Sequence, residues 1–384
     1  MGKWHLGHQK QYLPLRHGFH ESYGSTNCHF GPYDNKSRPN IAFFRNDKMI
    51  GRYYQNIAIN RKTQISDLTQ IYIKEAIDFI TSQSQPFFLY WTPDTLHAPT
   101  FRSKQYVGRS AKNSSYGDAL IEIDDGVGKI LDIIRKNESL ANNTFVFFTS
   151  DNGPALVEKI DCGSSGPLLC GKQTTFEGGL REPAIGWWPS KIKPNTVSRQ
   201  TATVMDLFRT VTSMAGIPMP TDREYDSNDL SPVLFENKRI DSNIYYYRGN
   251  QLMAIRSNQY KAHFWTFTTP PYEIKAGIDY CPNSYLKGIT TNDLTNHTLS
   301  PILFQVVRDP GEKYPIKETS DEYKNNINKL IELFESHVSS VTPGKPVLNW
   351  CDNAVMHWSP PGCEQINMCL PVPQSKPYKC DWPH

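Results

Sequence analysis

The chain has 384 residues, 11 histidines and a formal net charge of +3, which, without a basic run interleaved with aromatics, gives no argument for a nucleic-acid partner. No apolar run reaches the roughly 18 residues of a membrane span, so no membrane partner is expected, and the length suits one large α/β domain with a smaller companion. Histidines that charge progressively in an acidic compartment would turn this nearly neutral surface cationic, which favours polyanionic substrates.

The chain opens on Gly2-Lys3-Trp4-His5 after Met1, a cation close to an imidazole. This start is not a signal peptide, because Lys3, His5 and His8 leave no room for an apolar core, and Leu6 stands where myristoylation needs Ser or Thr. Eight cysteines, four of them in the Pro-rich stretch from Cys351 to Cys380, nevertheless point to an oxidising compartment. Sequons at Asn35, Asn113, Asn137, Asn142 and Asn296 fit the same setting. Secretory chemistry without a leader is the expectation for a chain missing its beginning.

His17, His20, Cys28 and His29 form a grouping whose spacing matches no common zinc site. Asp67 and Gln70 read as a capping box opening a helix with Ile73, Ala76, Ile77 and Ile80 on one face. A short apolar strand, Phe87-Phe88-Leu89-Tyr90-Trp91, follows, with His97 just beyond it. A second helix runs through Leu120, Ile123, Val127, Ile130, Leu131 and Ile134 to a strand over Thr144–Thr149. Strand, crossover helix, strand is the order of a parallel sheet covered by helices on both faces. In such sheets ligands bind beyond the carboxyl ends of the strands, where His97 and Asp151-Asn152 fall. The pair Asp124-Asp125 lies on the helix face away from Ile123 and Val127 and reads as solvated rather than metal-binding. From about Asn243 short β-rich runs split by turn residues predict a small antiparallel sheet, on which a helix from about Asp321 to Val338 packs through Ile327, Leu330, Ile331 and Phe334. The expected division is a catalytic domain over 1–242, a sheet-and-helix subdomain over 243–343, and a Cys/Pro-rich tail over 344–384 that is stapled rather than packed.

Asp151-Asn152 offers only oxygen donors, which suit Ca²⁺ or Mg²⁺ better than zinc, although an Asn-Gly turn closing a strand would read the same way. Lys3 supplies a point charge for an ester oxygen and His5 a bond to a nucleophile or anion; at a chain end the same residues also read as solvated. His97, before Ala98-Pro99, faces the same anion or fills a turn. Lys172 reads as a ligand or as an exposed loop lysine, but the nearby Glu177-Gly178-Gly179 marks backbone that needs unusual dihedrals or close approach. Two lysines, two histidines and a hard-metal pair suit a sulfate or phosphate ester.

Gly2-Lys3-Trp4-His5 is similar to the second signature of the sulfatases, and Ser150-Asp151-Asn152-Gly153 and Gly171-Lys172 to that family's metal and lysine segments. The resemblance covers essentially the whole chain. It implies an alkaline-phosphatase-like α/β fold, a mixed sheet sandwiched by helices, with a smaller C-terminal antiparallel-sheet domain and a disulfide-stapled tail. It further implies that Asp151 and Asn152 bind Ca²⁺, while Lys3, His5, His97 and Lys172 surround the nucleophile and the sulfate. Finer stretches, among them Asn27-Cys28-His29-Phe30-Gly31-Pro32-Tyr33-Asp34-Asn35 and Pro360-Pro361-Gly362-Cys363-Glu364, resemble the branch of the family that removes 6-sulfate from chondroitin and keratan sulfates. That branch implies sulfated glycosaminoglycan oligosaccharides as partners, a lysosomal or secreted location and a homodimer when the chain is complete. It also implies the pairs Cys170–Cys281, Cys351–Cys380 and Cys363–Cys369, with Cys28 and Cys162 outside disulfides, whereas the four tail cysteines alone allow three pairings.

One departure from the family pattern is marked. Sulfatases attack with a formylglycine made from the cysteine of Cys-x-Pro-x-Arg, and no cysteine of the 384 residues has that context; Cys369-Leu370-Pro371-Val372-Pro373 comes nearest and lacks the arginine. The aspartate pair that completes the family's metal site is also absent from these residues. The expectation is therefore a sulfate-ester hydrolase inactive as this truncated chain, with a phosphoesterase of the same superfamily or a non-catalytic glycan-binding protein as alternatives.

Overall fold

The computed structural model describes the chain except residues 32, 345–349, 353, 355–358 and 380–384. It divides into two compact units. Unit 1 comprises Met1–Leu140, Glu158–Gly163 and Pro346–His384; unit 2 comprises Ala141–Val157 and Ser164–Lys345.

Unit 1 is built on an antiparallel sheet in the order β1 (Tyr23–Ser25), β2 (Ala42–Arg45), β3 (Lys48–Arg52). Its apolar side chains join helix α1 (Leu68–Ser82) in a core of Tyr23, Phe43, Tyr53, Leu68, Tyr72 and Phe101. Helix α1 buries Ile73, Ala76 and Ile80 as the periodicity predicts. Its capping box does not form. Asp67 makes no side-chain cap, and Gln70 Nε2 instead donates to Glu122 Oε1 (2.6 Å) on helix α2 (Ser115–Arg135). A buried carboxylate needs donors more than a helix end needs a cap, since water serves the end. Glu122 also accepts from the Ser103 amide and hydroxyl at 2.8 and 2.7 Å. The two helices approach closely at Gly126, where a Cβ would lie 2.6 Å from Ile73 Cδ1. Asp124 and Asp125 are exposed as expected, and Asp125 accepts from Tyr106 Oη (2.7 Å).

The run over residues 87–91 is not the apolar sheet strand expected, and Phe88 and Tyr90 are 61% and 46% exposed. It is an extended segment that meets the chain start through one parallel bridge, Gly2 with Thr92. Lys3 N donates to Thr92 O (2.7 Å) and Thr92 N to Met1 O (2.8 Å), while Gly2, Trp4 and His5 donate to Tyr23, Ser25 and Thr26 carbonyls on the other side. Residues 1–5 are thus a strand-like ribbon between two others and not the solvated end that was the alternative reading of Lys3 and His5. Gly2 has to be glycine there: φ is +111° and a Cβ would lie 2.1 Å from Thr92 O.

In unit 2, β4 (Val146–Thr149) pairs antiparallel with β5 (Ala184–Trp187) rather than with a parallel neighbour, because the intervening loop brings the chain back in the opposite direction. The C-terminal antiparallel sheet forms as read: β6 (Asn243–Arg248), β7 (Gln251–Ser257) and β8 (Tyr260–His263), with Ile302–Gln305 beside β8. Helix Asp321–Ser340, capped by Ser320 accepting from the Tyr323 amide, packs Ile327 and Leu330 on Leu252, Ile255, Ala262, Phe264 and Leu303. The architecture is mixed α/β. No helix among the described residues is long and apolar enough to cross a membrane.

The tail is packed as well as stapled. Cys363, bonded to Cys369, is buried among Leu13, Ala42, Phe44 and Met49, and Met49 N donates to Pro361 O (2.7 Å). Cys170 is bonded to Cys281, and Cys28 and Cys162 are thiols. The expected Cys351–Cys380 bond involves residue 380, outside the described residues. Non-reducing peptide mapping is expected to recover the Cys170–Cys281 and Cys363–Cys369 peptides, with Cys162 alkylated as a thiol; a Cys162 disulfide or crossed tail pairs would contradict this arrangement.

Candidate active site

In unit 1 the ribbon of residues 1–5 carries Lys3 between two hydrogen-bonded neighbours, with His5 at its end. Trp4 meets Phe19 edge-on at 5.8 Å and its Nε1 donates to Tyr12 O (2.7 Å). His5 has φ +58°, a left-handed conformation uncommon for a non-glycine residue. His97 lies at the end of the neighbouring segment. Its Nδ1 donates to Ala98 O (2.7 Å), which leaves Nε2 facing Cys28 Sγ at 3.7 Å. A carbonyl acceptor on Nδ1 fixes the neutral tautomer with its lone pair on Nε2.

Beneath His97 lies a buried acid–base pair. His29 Nδ1 is 2.7 Å from Asp94 Oδ2 and its Nε2 is 2.9 Å from Pro99 O, so both ring nitrogens face acceptors and the ring is an imidazolium. Burial pulls the His29 pKa down, but the charge and hydrogen bond of Asp94 outweigh it and the net shift is upward. Burial likewise pushes Asp94 up, and His29 and Tyr53 more than reverse it. Asp94 and Pro99 bracket His97, so the pair holds both ends of the loop that carries it. The charge of Lys3 opposes protonation of His29 to a lesser degree.

In unit 2 the chain leaves β4 into Ser150-Asp151-Asn152-Gly153. Ser150 Oγ donates to Asn152 O (3.1 Å), and Gly153 N donates to Gly179 O (3.0 Å). A Cβ on Gly153 would lie 1.9 Å from Gly178 O, so the metal segment and the double glycine touch through bare backbone. Lys172 N donates to Pro154 O (2.9 Å), which brings the lysine segment against the same turn. The Asp151-Asn152 turn and the Lys172 segment therefore meet through their backbones. The double glycine answers to close approach, because a Cβ on Gly178 or Gly179 would lie 2.2 or 2.3 Å from the Cys170 or Thr174 carbonyl oxygen.

A second carboxylate, Glu182, joins this group and was not foreseen; an isolated Arg-Glu-Pro carries no recognisable signal. Burial, then the charge of Asp151, raises its pKa to about 7, and its Oε1 is buried without a hydrogen-bond partner. An orphaned carboxylate oxygen beside Asp151, in a set of oxygen donors only, fits a hard divalent cation. No zinc cluster forms around His17, His20, Cys28 and His29; among the described residues the metal-like grouping is Cys363, Glu364 and Cys369, whose sulfurs are disulfide-bonded.

The lysine segment rests on a buried ion network. Lys261 Nζ donates to Thr175 O (2.8 Å) and lies 3.1 Å from both Glu177 Oε1 and Glu312 Oε1. Arg256 reaches Glu177 Oε2 (3.1 Å), Glu312 Oε2 accepts from the Glu177 amide (2.7 Å), and His263 Nε2 donates to Glu312 Oε1 (2.7 Å). Two cations and two carboxylates balance, so burial is compensated. Burial depresses Lys261 but the two glutamates hold it charged, and Lys261 and His263 bring Glu312 down to about 2 against its own burial. Arg248 closes the frame by donating to Gln173 O (2.9 Å).

Unit 1 thus carries a histidine facing a thiol and unit 2 a strand-end Asp-Asn turn with a lysine segment against it, and the comparisons give the family. The sulfatase family model matches residues 1–217, and the model for the C-terminal region of aryl-sulfatase matches residues 239–371. The chain belongs to the sulfatase family, whose members are sulfuric ester hydrolases that generally bind a divalent metal. It is 52% identical over 388 residues to the N-acetylgalactosamine-6-sulfatase of Rattus norvegicus, covering 100% of this chain and 74% of that protein. The Homo sapiens protein of the same name is 50% identical over 387 residues, with the same coverage. A crystal structure of a sulfatase from Pseudoalteromonas superposes with a TM-score of 0.73 at 23% identity, over 88% of this chain and 69% of that one, and so supports the fold.

Two stability tests follow. His29, whose pKa is raised on folding, stabilises the fold fully below its unfolded value near 6.5 and loses that contribution as pH rises through the folded value. His29→Ala is therefore expected to lower the melting temperature more at pH 5 than at pH 8, and an equal loss at both would contradict the imidazolium assignment. Lys261→Met leaves Glu177 and Glu312 partly uncompensated and is expected to cost about 3 kcal/mol or more, measured as a lowered denaturant midpoint; an unchanged midpoint would mean the network contributes nothing.

Proposed function

We propose that the protein removes the 6-sulfate of N-acetylgalactosamine or galactose units in chondroitin and keratan sulfates, as a calcium-dependent homodimer in the lysosome or secretory pathway. The observation that carries this reading is the 52% identity across the whole chain to an N-acetylgalactosamine-6-sulfatase. The arrangement of Lys172 against the Asp151-Asn152 turn supports it.

In this reading Lys3 and Lys172 balance the charge that builds on the sulfate oxygens, which counts for most where water is excluded. His97, with Nδ1 committed to Ala98 O, presents Nε2 for a proton that it delivers to the leaving alcohol, and His5 bonds the attacking group or the anion. Asp151 and Asn152 would hold Ca²⁺, with the Glu182 carboxyl, pushed up to about 7, beside them; a bound cation would supply polarisation of a sulfate oxygen. Cys-x-Pro-x-Arg does not occur in the 384 residues, so these residues by themselves are expected to bind sulfated sugars without turnover.

The test is hydrolysis by the protein isolated from its natural source. It should prefer 6-sulfated over 4-sulfated galactosaminyl oligosaccharides and work best under acidic conditions. Lys172→Ala should lower kcat about a hundredfold through uncompensated charge, and Asp151→Asn should abolish the rise in melting temperature that Ca²⁺ gives. Preference for the 4-sulfated sugar, or full activity in Lys172→Ala, would overturn the reading.

A further inference from the structure

Next to His97 lies a surface feature for which the site described above has no use. Phe30 is 42% exposed, and its ring lies 6.3 Å from the His97 imidazole, tilted by 33°. From Phe30 an open cleft of about 570 Å³ runs along Tyr33, Asp34, Ser37, Arg38 and Arg61. That volume falls within the roughly 300–1,000 Å³ of ligand clefts. Its floor is fixed. Tyr33 N donates to Asn40 Oδ1 (2.6 Å), and Tyr54, next to Arg61 by the effect of that charge on its phenol, donates to His29 O (2.6 Å).

The charges in the cleft are unevenly committed. Asp34 accepts from the backbone amides of Lys36, Ser37 and Arg38 at 2.9, 3.0 and 3.3 Å and from the Ser37 hydroxyl, so its carboxylate is spent on the turn. Among the described residues neither Arg38 nor Arg61 has an ion-pair partner, although both are exposed in the same cleft. Two guanidiniums provide planar forks suited to carboxylate or sulfate oxygens. An exposed phenyl ring beside them gives the C–H face of a pyranose an apolar surface to cover.

We propose that this cleft is an acid-sugar subsite: Phe30 takes the face of a sugar ring adjoining the one that loses its sulfate, and Arg38 and Arg61 bind that neighbour's anionic group. The ligand class is an anionic glycan chain, and the anion is either the carboxylate of a uronate or a second sulfate. This deepens the function proposed above and rests on it, because only a polymeric substrate occupies both His97 and the cleft. The cleft therefore sets which chains are held, without touching the ester that breaks. Longer substrates gain from it and single sugars do not.

The experiment compares the natural protein with its Arg38→Ala/Arg61→Ala variant on three substrates: N-acetylgalactosamine 6-sulfate, a 6-sulfated chondroitin tetrasaccharide and a 6-sulfated keratan tetrasaccharide. Dissociation constants for the same sugars are measured by calorimetry, so that the cleft is read even where turnover is absent. The variant is expected to raise KM and Kd for a tetrasaccharide about tenfold, the loss of charge-assisted bonds, with kcat and the monosaccharide KM unchanged. Raised salt should weaken tetrasaccharide binding to the unaltered protein and have little effect on the variant. Loss confined to the chondroitin tetrasaccharide identifies the anion as the carboxylate, and loss on the keratan tetrasaccharide identifies it as a sulfate. Unchanged tetrasaccharide constants, or an equal loss on the monosaccharide, would overturn the subsite. No hydrolysis of any of the three by the unaltered protein would instead overturn the function proposed above, while calorimetry still decides whether the cleft binds.

Discussion

Glu177 is the residue through which the lysine segment is tied to the rest of unit 2. Its side chain holds Lys261 and Arg256, its amide is held by Glu312, and two glycines follow it because the backbone there passes against Cys170, Thr174 and Gly153. A lysine needed as a fixed charge gains nothing from a mobile loop, since misplacement by about an ångström forfeits much of its electrostatic value. Burying four charges to hold a few residues is a poor route to stability, but it permits few alternative arrangements. Each backbone group of residues 173–177 that the network holds is one degree of freedom removed from the position of Lys172.

Unit 1 applies the same physics to a histidine. His29 and Asp94 form a buried pair whose second donor holds the Pro99 carbonyl, so the loop bearing His97 rests on an ion pair rather than on apolar contact. The two devices differ in their response to pH. Glu312 stays ionised down to about 2, so the lysine clamp is insensitive across the physiological range, whereas the histidine support strengthens on acidification. An acidic working environment suits both. It favours the charged form of His29 while leaving Glu312 ionised.

Much of the candidate site could be proposed from sequence because its segments are contiguous. Ser150-Asp151-Asn152-Gly153 and Gly171-Lys172 announce themselves locally, and a double glycine two turns of chain later signals close backbone approach wherever it occurs. Helix α1 and the helix from Asp321 were readable from period alone, since each buries one stripe against one sheet or helix. What was not legible depends on partners far apart in sequence. His29 with Asp94, Lys261 with Glu177 and Glu312, and Glu182 with Asp151 are pairs of ordinary residues until the fold brings them together. The capping box failed for the same reason, because Gln70 was claimed by Glu122 some 50 residues on.

The apolar segment over residues 87–91 shows a related limit of periodicity. A short run of five large apolar residues reads as an apolar sheet strand, yet here alternate side chains reach solvent and the backbone finds its partner in the first residues of the chain. That partner could not be read from composition, because Gly2-Lys3-Trp4-His5 has neither strand-forming residues in sequence nor an apolar alternation. It is held by the hydrogen bonds of its neighbours, which accept on both sides and leave room for nothing larger than glycine at the second position. Placing Lys3 and His5 on such a ribbon, rather than on a loop, makes their spacing a structural quantity. Both ends of the ribbon leave the extended region, with φ +111° at Gly2 and +58° at His5, so the direction of His5 is set by that local bend of the backbone and not by strand alternation.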